Sequence, residues 1–179
     1  MSEPERPSND EYDPYYATYI GLIKDAGVLA VLRQQQSTTE SWIRSLTADQ
    51  ASTRYAPDKW SVKEVLGHMC DTERIFAYRS LCIARGESQS LPGMDQDVYA
   101  RVADFDSRSV ESQAEEYAAV RAATLALFES LDFEAWDRSG VANGVAISVR
   151  ALAFIIAGHE RHHMTLLRDR YHMEVQIEQ

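Results

Sequence analysis

The chain has 179 residues, with 18 Lys and Arg against 28 Asp and Glu, for a formal net charge of −10. That length suits one domain with a sizeable core, and the acidic balance argues against nucleic acid or an anionic membrane surface as a partner. Hydrophobic residues make up 45% of the chain, which excludes wholesale disorder.

Residues 1–14 hold three of the five prolines and many charges. They read as a flexible N-terminal tail, ahead of a single domain over 15–175. They lack the apolar core of a secretory signal. The longest apolar run, Ala151 to Ala157, is far short of the ~20 residues a spanning helix needs. A cytoplasmic location is therefore expected. Cys70 and Cys82 give no disulfide framework. On one helix they would stand ~18 Å apart, beyond bridging distance.

Strand-like alternation is nearly missing, and a 3.6-residue apolar period dominates. Tyr15 to Ala26 predicts a short helix stopped at Gly27. Val28 to Leu46 continues helically, with Val28, Leu29, Leu32, Trp42 and Leu46 as apolar positions. Thr47 to Lys59 is polar, contains Pro57, and reads as a loop. Ser61 and Glu64 form a capping box that opens a helix from Val62 to about Arg85, stopped at Gly86. Glu87 to Asp106, with Pro92 and Gly93, reads mostly as loop. A further helix is expected from Ser109 to Leu131. Asp137 to Asn143 is turn-rich, and Asn143-Gly144 suits a small hairpin over Val141 to Ile147. The last helix starts near Ser148 and runs to Tyr171. The fold class is all-α, a four-helix bundle with a small hairpin before the last helix. Up-down-up-down connectivity is the simplest form, and the long second connection leaves room for a crossover.

The histidines carry the chemistry. Val149, Leu152, Ile156, His159, His163 and Leu166 follow each other at alternating steps of three and four. The apolar seam of the last helix thus turns into two histidines. Imidazoles four residues apart lie one above the other and can converge on one ion. His68 lies three residues after Val65, at the edge of another core face. A third imidazole from that helix would complete a three-histidine site, the arrangement of catalytic zinc with an open position. Imidazole equally suits nickel, iron or copper. A lone core histidine is more often bonded to a backbone carbonyl, which is the reading for His172. Burying the 159/163 pair without a metal would strand polar nitrogens.

The last helix also reads His159-Glu160-Arg161-His162-His163, an H-E-x-x-H metalloprotease pattern with Glu160 as the would-be general base. Only 16 residues follow His163, too few for a distant downstream carboxylate ligand. Thr165 to Tyr171 offers neither the Gly nor the third histidine of the other zinc-protease type. The third ligand is therefore expected upstream, and Glu160 is expected to pair with a cation or orient an imidazole. Asp71, Glu73 and His162 are further candidates for orienting the imidazoles, although Asp71 and Glu73 suit a solvated helix face as well. Arg79 and Arg121 could bind a carboxylate of a thiol cofactor, with surface ion pairing the better reading for Arg121. Cys70 points ~200° away from His68 and suits a small buried hydrophobe. Tyr78 and Tyr99 suit core or rim positions.

The stretch Tyr55 to Arg74, YAPDKWSVKEVLGHMCDTER, together with Phe76-Ala77-Tyr78-Arg79, Leu91 to Gln96 and Ala157 to His163, resembles the DinB-like superfamily and its YfiT-like group. The likeness runs from about Tyr15 to Tyr171. It implies a four-helix bundle with a divalent metal, zinc or nickel, on His68, His159 and His163. His162 matches the family pattern where it is not normally a ligand. The resemblance implies a heterogeneous set of activities: thiol-S-transferases using bacillithiol, mycothiol or glutathione, a thiol-dependent isomerase, and metal-dependent hydrolases. It also implies a homodimer.

A three-histidine metal site supports two chemistries, activation of water and stabilisation of a substrate thiolate. The expected function is a metal-dependent enzyme, a thiol-S-transferase or hydrolase, acting on a small electrophilic substrate with a low-molecular-weight thiol as possible cofactor. The alternative is a non-catalytic metal- or ligand-binding bundle.

Overall fold

The computed structural model describes residues 4–24 and 27–175. Among them the helices are α1 (Ala17–Ile20), α2 (Val28–Ser45), α3 (Ala48–Ala51), α4 (Val62–Ala84), α5 (Gln96–Ala103), α6 (Val110–Glu129), α7 (Phe133–Asp137) and α8 (Val149–Tyr171). Strands β1 (Ser139–Ala142) and β2 (Val145–Ser148) precede α8.

The helix starts follow local chemistry. Ser61 accepts from the Glu64 N–H while the Glu64 side chain accepts from the Ser61 N–H, so the capping box of α4 is complete. Ser148 caps α8 by accepting from the Ala151 N–H. The hairpin pairs Ala142 with Val145. Asn143 and Gly144 form its two-residue turn at φ 53° and 79°, the double positive φ that Asn-Gly tolerates best.

Four long helices form the bundle. α2 packs on α6 and α8, and α4 packs on α6 and α8. Helices α2 and α4 therefore sit diagonally across the bundle, as do α6 and α8. The long second connection joins neighbours, α4 and α6. The first and third connections make the crossings, over residues 46–61 and 130–148. They are long enough to cross a bundle end because each carries short elements of its own: α3 in the first, α7 and the hairpin in the third.

Other departures are local. The helix expected over Tyr15 to Ala26 is a 3-10 turn, Pro14–Tyr16, followed by the single-turn α1; positions 25 and 26 lie outside the described residues. The presumed loop 87–106 contains α5, capped by Asp95 accepting from the Asp97 and Val98 N–H groups. Part of the segment ahead of residue 15 packs on the bundle. Tyr12 is buried, Glu11 pairs with Arg150 at 2.6 Å, and Arg6 donates to the Ile20 and Ile23 carbonyls.

The core falls into two apolar clusters. One gathers Leu32, Phe76, Phe128, Leu152 and Ile156, the other Ile43, Val65, Met69, Tyr117, Met164 and Leu167. Between them lies a buried polar layer, fed by all four long helices. It contains Gln35 and Thr39 of α2, His68, Thr72 and Glu73 of α4, Arg121 of α6, and His159, Glu160 and His163 of α8. Among the described residues no helix is long and apolar enough to cross a membrane.

Candidate metal centre

The polar layer divides into two halves. In one half, His68 from α4 meets His159 and His163 from α8. His159 Nε2 stands 3.1 Å from His68 Nε2 and 3.1 Å from His163 Nε2. The donor atoms of all three lie within 4.8 Å of one another, and all three residues are buried. Among the described residues no fourth His, Cys, Asp or Glu joins this group.

This donor set fits a cation. A neutral imidazole carries one N–H, so three Nε2 atoms facing each other cannot all find hydrogen bonds among themselves. Zinc–nitrogen bonds of 2.0–2.1 Å in tetrahedral geometry put ligand nitrogens ~3.3 Å apart, close to the spacing here. His163 Nδ1 is buried with no partner, and His68 Nδ1 has Thr72 Oγ1 at 3.4 Å. Burial holds the three imidazoles in the neutral form that a metal requires. It lowers His68 to about 4 and His159 and His163 well below the usual histidine range, with the neighbouring histidines adding to the shift.

Aromatic residues fix the rings. The Trp60 ring lies 4.8 Å from His68, centroid to centroid. Tyr19 sets its ring edge-on to His159 and His162, each at 5.4 Å. Its approach depends on Gly158, where a Cβ would lie 2.5 Å from the Tyr19 carbonyl carbon. His68 and His159 open onto a cleft of about 170 Å³ walled by Tyr15, Tyr16, Tyr19 and Phe76, with Arg79 and Asn143 on its lining.

The other half of the layer is a charge network. Arg121 is wholly buried. It donates through Nε and Nη2 to both Glu73 oxygens at 2.8 Å, and through Nη2 to Glu160 Oε2 at 2.6 Å. Glu160 also accepts from Thr39 Oγ1 at 2.6 Å and from Tyr117 at 2.8 Å. Both its oxygens are thus engaged away from the imidazoles. The surface ion pairing expected of Arg121 gives way to a buried triad, because Glu73 and Glu160 supply the paired acceptors that make burying a guanidinium tolerable.

The orienting candidates are therefore spread apart. Glu73 and Glu160 serve Arg121. Asp71 is half-buried and pairs with Arg74 at 3.4 Å. His162 is half-buried, with its ring edge-on to His163 at 5.1 Å. Cys70 is buried, and burial raises its thiol. Tyr78 and Tyr99 are exposed, and His172 ends α8 in the left-handed region at φ 56°. Sequence reasoning missed Tyr19 and Trp60 as flanking rings. The Trp-Ser pair at the start of α4 marked Trp60, but nothing local marked Tyr19.

Known proteins resemble this chain in sequence and in fold. Part of the chain is 26% identical over 128 residues to a protein of Oceanobacillus iheyensis whose name places it among metal-dependent hydrolases; the match covers 70% of this chain and 73% of that one. YfiT from Bacillus subtilis, described as a probable metal-dependent hydrolase with an unusual four-helix bundle topology, superposes with a TM-score of 0.72 at 16% identity, covering 97% of both chains. A DinB-like protein of Bacillus subtilis, YjoA, gives a TM-score of 0.57 at 21% identity over 85% of this chain and 96% of that one. A mycothiol-dependent maleylpyruvate isomerase gives 0.64 at 10% identity over 76% and 57% of the two chains. The model of the DinB superfamily matches residues 32–167, a span that holds the four long helices and all three converging histidines. The chain belongs to the DinB superfamily.

Proposed function

We propose that this protein is a metal-dependent enzyme, a thiol-S-transferase or hydrolase, acting on a small electrophilic substrate. The observation that carries the reading is the convergence of three buried Nε2 atoms beside a cleft. His68, His159 and His163 would hold one divalent ion, zinc or nickel. That ion supplies Lewis acidity, which lowers the pKa of a coordinated water or thiol.

The chain's own residues do the rest. Trp60 and Tyr19 hold the imidazole planes in place by ring contact. Tyr15, Tyr16 and Phe76 give the cleft aromatic walls against which a small molecule can pack. Cys70 stays a neutral thiol and takes no part. The Glu160 carboxylate is committed to Arg121, Tyr117 and Thr39, so the H-E-x-x-H pattern here marks a shared helix face and no peptidase.

The named relatives support the metal-dependent part of this reading, and the mycothiol-dependent isomerase supports a low-molecular-weight thiol as co-substrate. We further propose a cytoplasmic location and a homodimeric state. A non-catalytic metal-binding bundle is the competing account, and the cleft beside the histidines favours the enzyme over it. Metal analysis of the purified protein, followed by assays of the zinc- and nickel-loaded forms with a panel of thiols and electrophiles, tests the proposal. Metal-dependent turnover that disappears in His163→Ala is the expected result. Stoichiometric metal with no turnover across the panel would favour the binding bundle.

A further inference from the structure

Arg79 presents an anomaly in the cleft. It is only 4% exposed, yet among the described residues no carboxylate lies within ion-pair distance of it. The other deeply buried arginine, Arg121, has two. Arg79 Nη2 donates to the Pro92 carbonyl at 2.7 Å, and its guanidinium carbon lies 5.3 Å from the Phe76 ring centroid. The Tyr16 hydroxyl also interacts with the guanidinium, but Nε is buried with no hydrogen-bond acceptor. A buried cation without a counter-ion is unfavourable, and so is a buried donor without an acceptor.

The surroundings explain what could offset this. Arg79 lines the same cleft as His68 and His159, and none of the described lining residues is an Asp or Glu. In a chain of net charge −10, this is a local pocket of positive charge with largely aromatic and neutral polar walls. His68, Thr72, Phe76 and Arg79 follow at steps of four, four and three, so they form one stripe of α4. His68 and Arg79 are ~16 Å apart along the helix axis. Helix side chains lean toward the N-terminus, so the longer arginine reaches back along the cleft toward the histidines.

We propose that Arg79 is the anion-binding, specificity-determining residue of this cleft: it takes the carboxylate of an elongated small molecule whose other end lies at His68, His159 and His163. This deepens the proposed function and rests on it for the metal end alone. The guanidinium has five N–H donors in a planar fork. Nε–H together with an adjacent Nη–H matches a carboxylate bidentately. A neutral ligand of the same length would leave both the charge and Nε without a partner.

The test uses the zinc-loaded full-length protein and calorimetric titration. The probes are mercaptohexanoic and mercapto-octanoic acids, the mercapto-alcohols of the same lengths, and the acids and alcohols without the thiol. In the parent protein the mercapto-acids should bind ~10- to 100-fold more tightly than the mercapto-alcohols, the range of a charge-assisted hydrogen bond. Arg79→Gln, which keeps a donor for the Pro92 carbonyl, should bring that ratio to about one, as expected once the charge is gone. Its metal content should be unchanged and its preference for thiol over methyl retained. Arg79→Lys should keep part of the preference for acid.

Equal binding of acid and alcohol by the parent protein overturns the proposal, whatever the variants do. So does a ratio that survives in Arg79→Gln, which would leave Arg79 a clamp on the Pro92 loop only. If the acid preference depends on Arg79 but the thiol adds nothing, the anion site stands and the metal-and-thiol reading fails. If the thiol matters and the acid does not, the reverse holds.

Discussion

Glu160 follows His159 directly in α8, yet the two side chains belong to different halves of the buried layer. His159 Nε2 faces His68 and His163 at 3.1 Å, whereas Glu160 Oε2 accepts from Arg121 Nη2 at 2.6 Å, with the two side chains 4% and 0% exposed. The ~100° between successive helical residues is enough to send one to the candidate metal centre and the other to the charge network.

That separation makes stability and metal binding independently testable. Arg121→Met leaves Glu73 and Glu160 as two buried carboxylates without a cation. We expect a loss of ~3–5 kcal/mol in chemical denaturation, the cost of breaking a buried pair from one side. Glu160→Gln keeps acceptors for Arg121 and Tyr117 and removes one charge, so a smaller loss of ~1–3 kcal/mol is expected. Glu160→Gln should retain its metal, and neither it nor the parent protein should cleave casein. Metal-dependent casein cleavage that vanishes in Glu160→Gln would reinstate the peptidase reading.

The second prediction concerns the neighbouring histidines. His163→Ala should lose its metal, and His162→Ala should keep it, since only His163 converges with His68 and His159. Metal at a hundred times its dissociation constant adds ~2.7 kcal/mol. For a domain this size that corresponds to ~5–10 °C in melting temperature. Chelation should remove that increment from the parent protein and from His162→Ala, and change nothing in His163→Ala. Equal metal content in the two variants would refute the assignment.

The contrast between these two sites shows what a sequence exposes. The histidines were legible because their signal is local: a three-and-four spacing puts polar residues where an apolar seam should continue. The hairpin and the capping box of α4 were legible for the same reason, since Asn143-Gly144 and Ser61 to Glu64 act within a few residues. Arg121 was not. Its partners are 48 and 39 residues away, on helices whose rotation about their axes is set only when the bundle packs. The diagonal placement of α2 and α4 was hidden likewise, because two helices with apolar stripes pair equally well by pattern with more than one neighbour.

Acid should release the contact between Glu11 and Arg150. Burial disfavours the Glu11 carboxylate, but hydrogen bonds from Arg150, Ser148 and Ser8 outweigh it and bring the pKa from 4.5 down to about 2. With a depressed folded-state pKa, the unfolded chain binds more protons at this site, so stability rises with pH across that window. The contribution is present in full above pH 4.5 and is lost as pH falls toward about 2. Glu11→Gln should therefore be less stable than the parent protein at neutral pH, and the two should converge on acidification. A difference that stays constant down to the acid limit would show that Glu11 contributes by packing and not by charge.

The last prediction follows from Gly158, beside the first α8 histidine. Helix propensity alone says that Gly158→Ala stabilises α8 by ~1 kcal/mol. Packing says the opposite: the new Cβ would lie 2.5 Å from the Tyr19 carbonyl carbon and 3.1 Å from its Cα. These are backbone atoms, so no side-chain rotation relieves the contact, and α1 must move off α8. Overpacking of this kind costs ~1–3 kcal/mol, which exceeds the propensity gain in most of that range. At Gly67 the nearest atoms to an added Cβ belong to the Phe105 ring, which is itself buried, so Gly67→Ala should also destabilise. We expect Gly158→Ala to melt below the parent protein, to keep its metal, and to show an altered near-ultraviolet tyrosine signal as Tyr19 leaves the edge of His159. A Gly158→Ala protein that melts above the parent would mean that α1 is not seated on α8, and that Tyr19 does not wall the cleft.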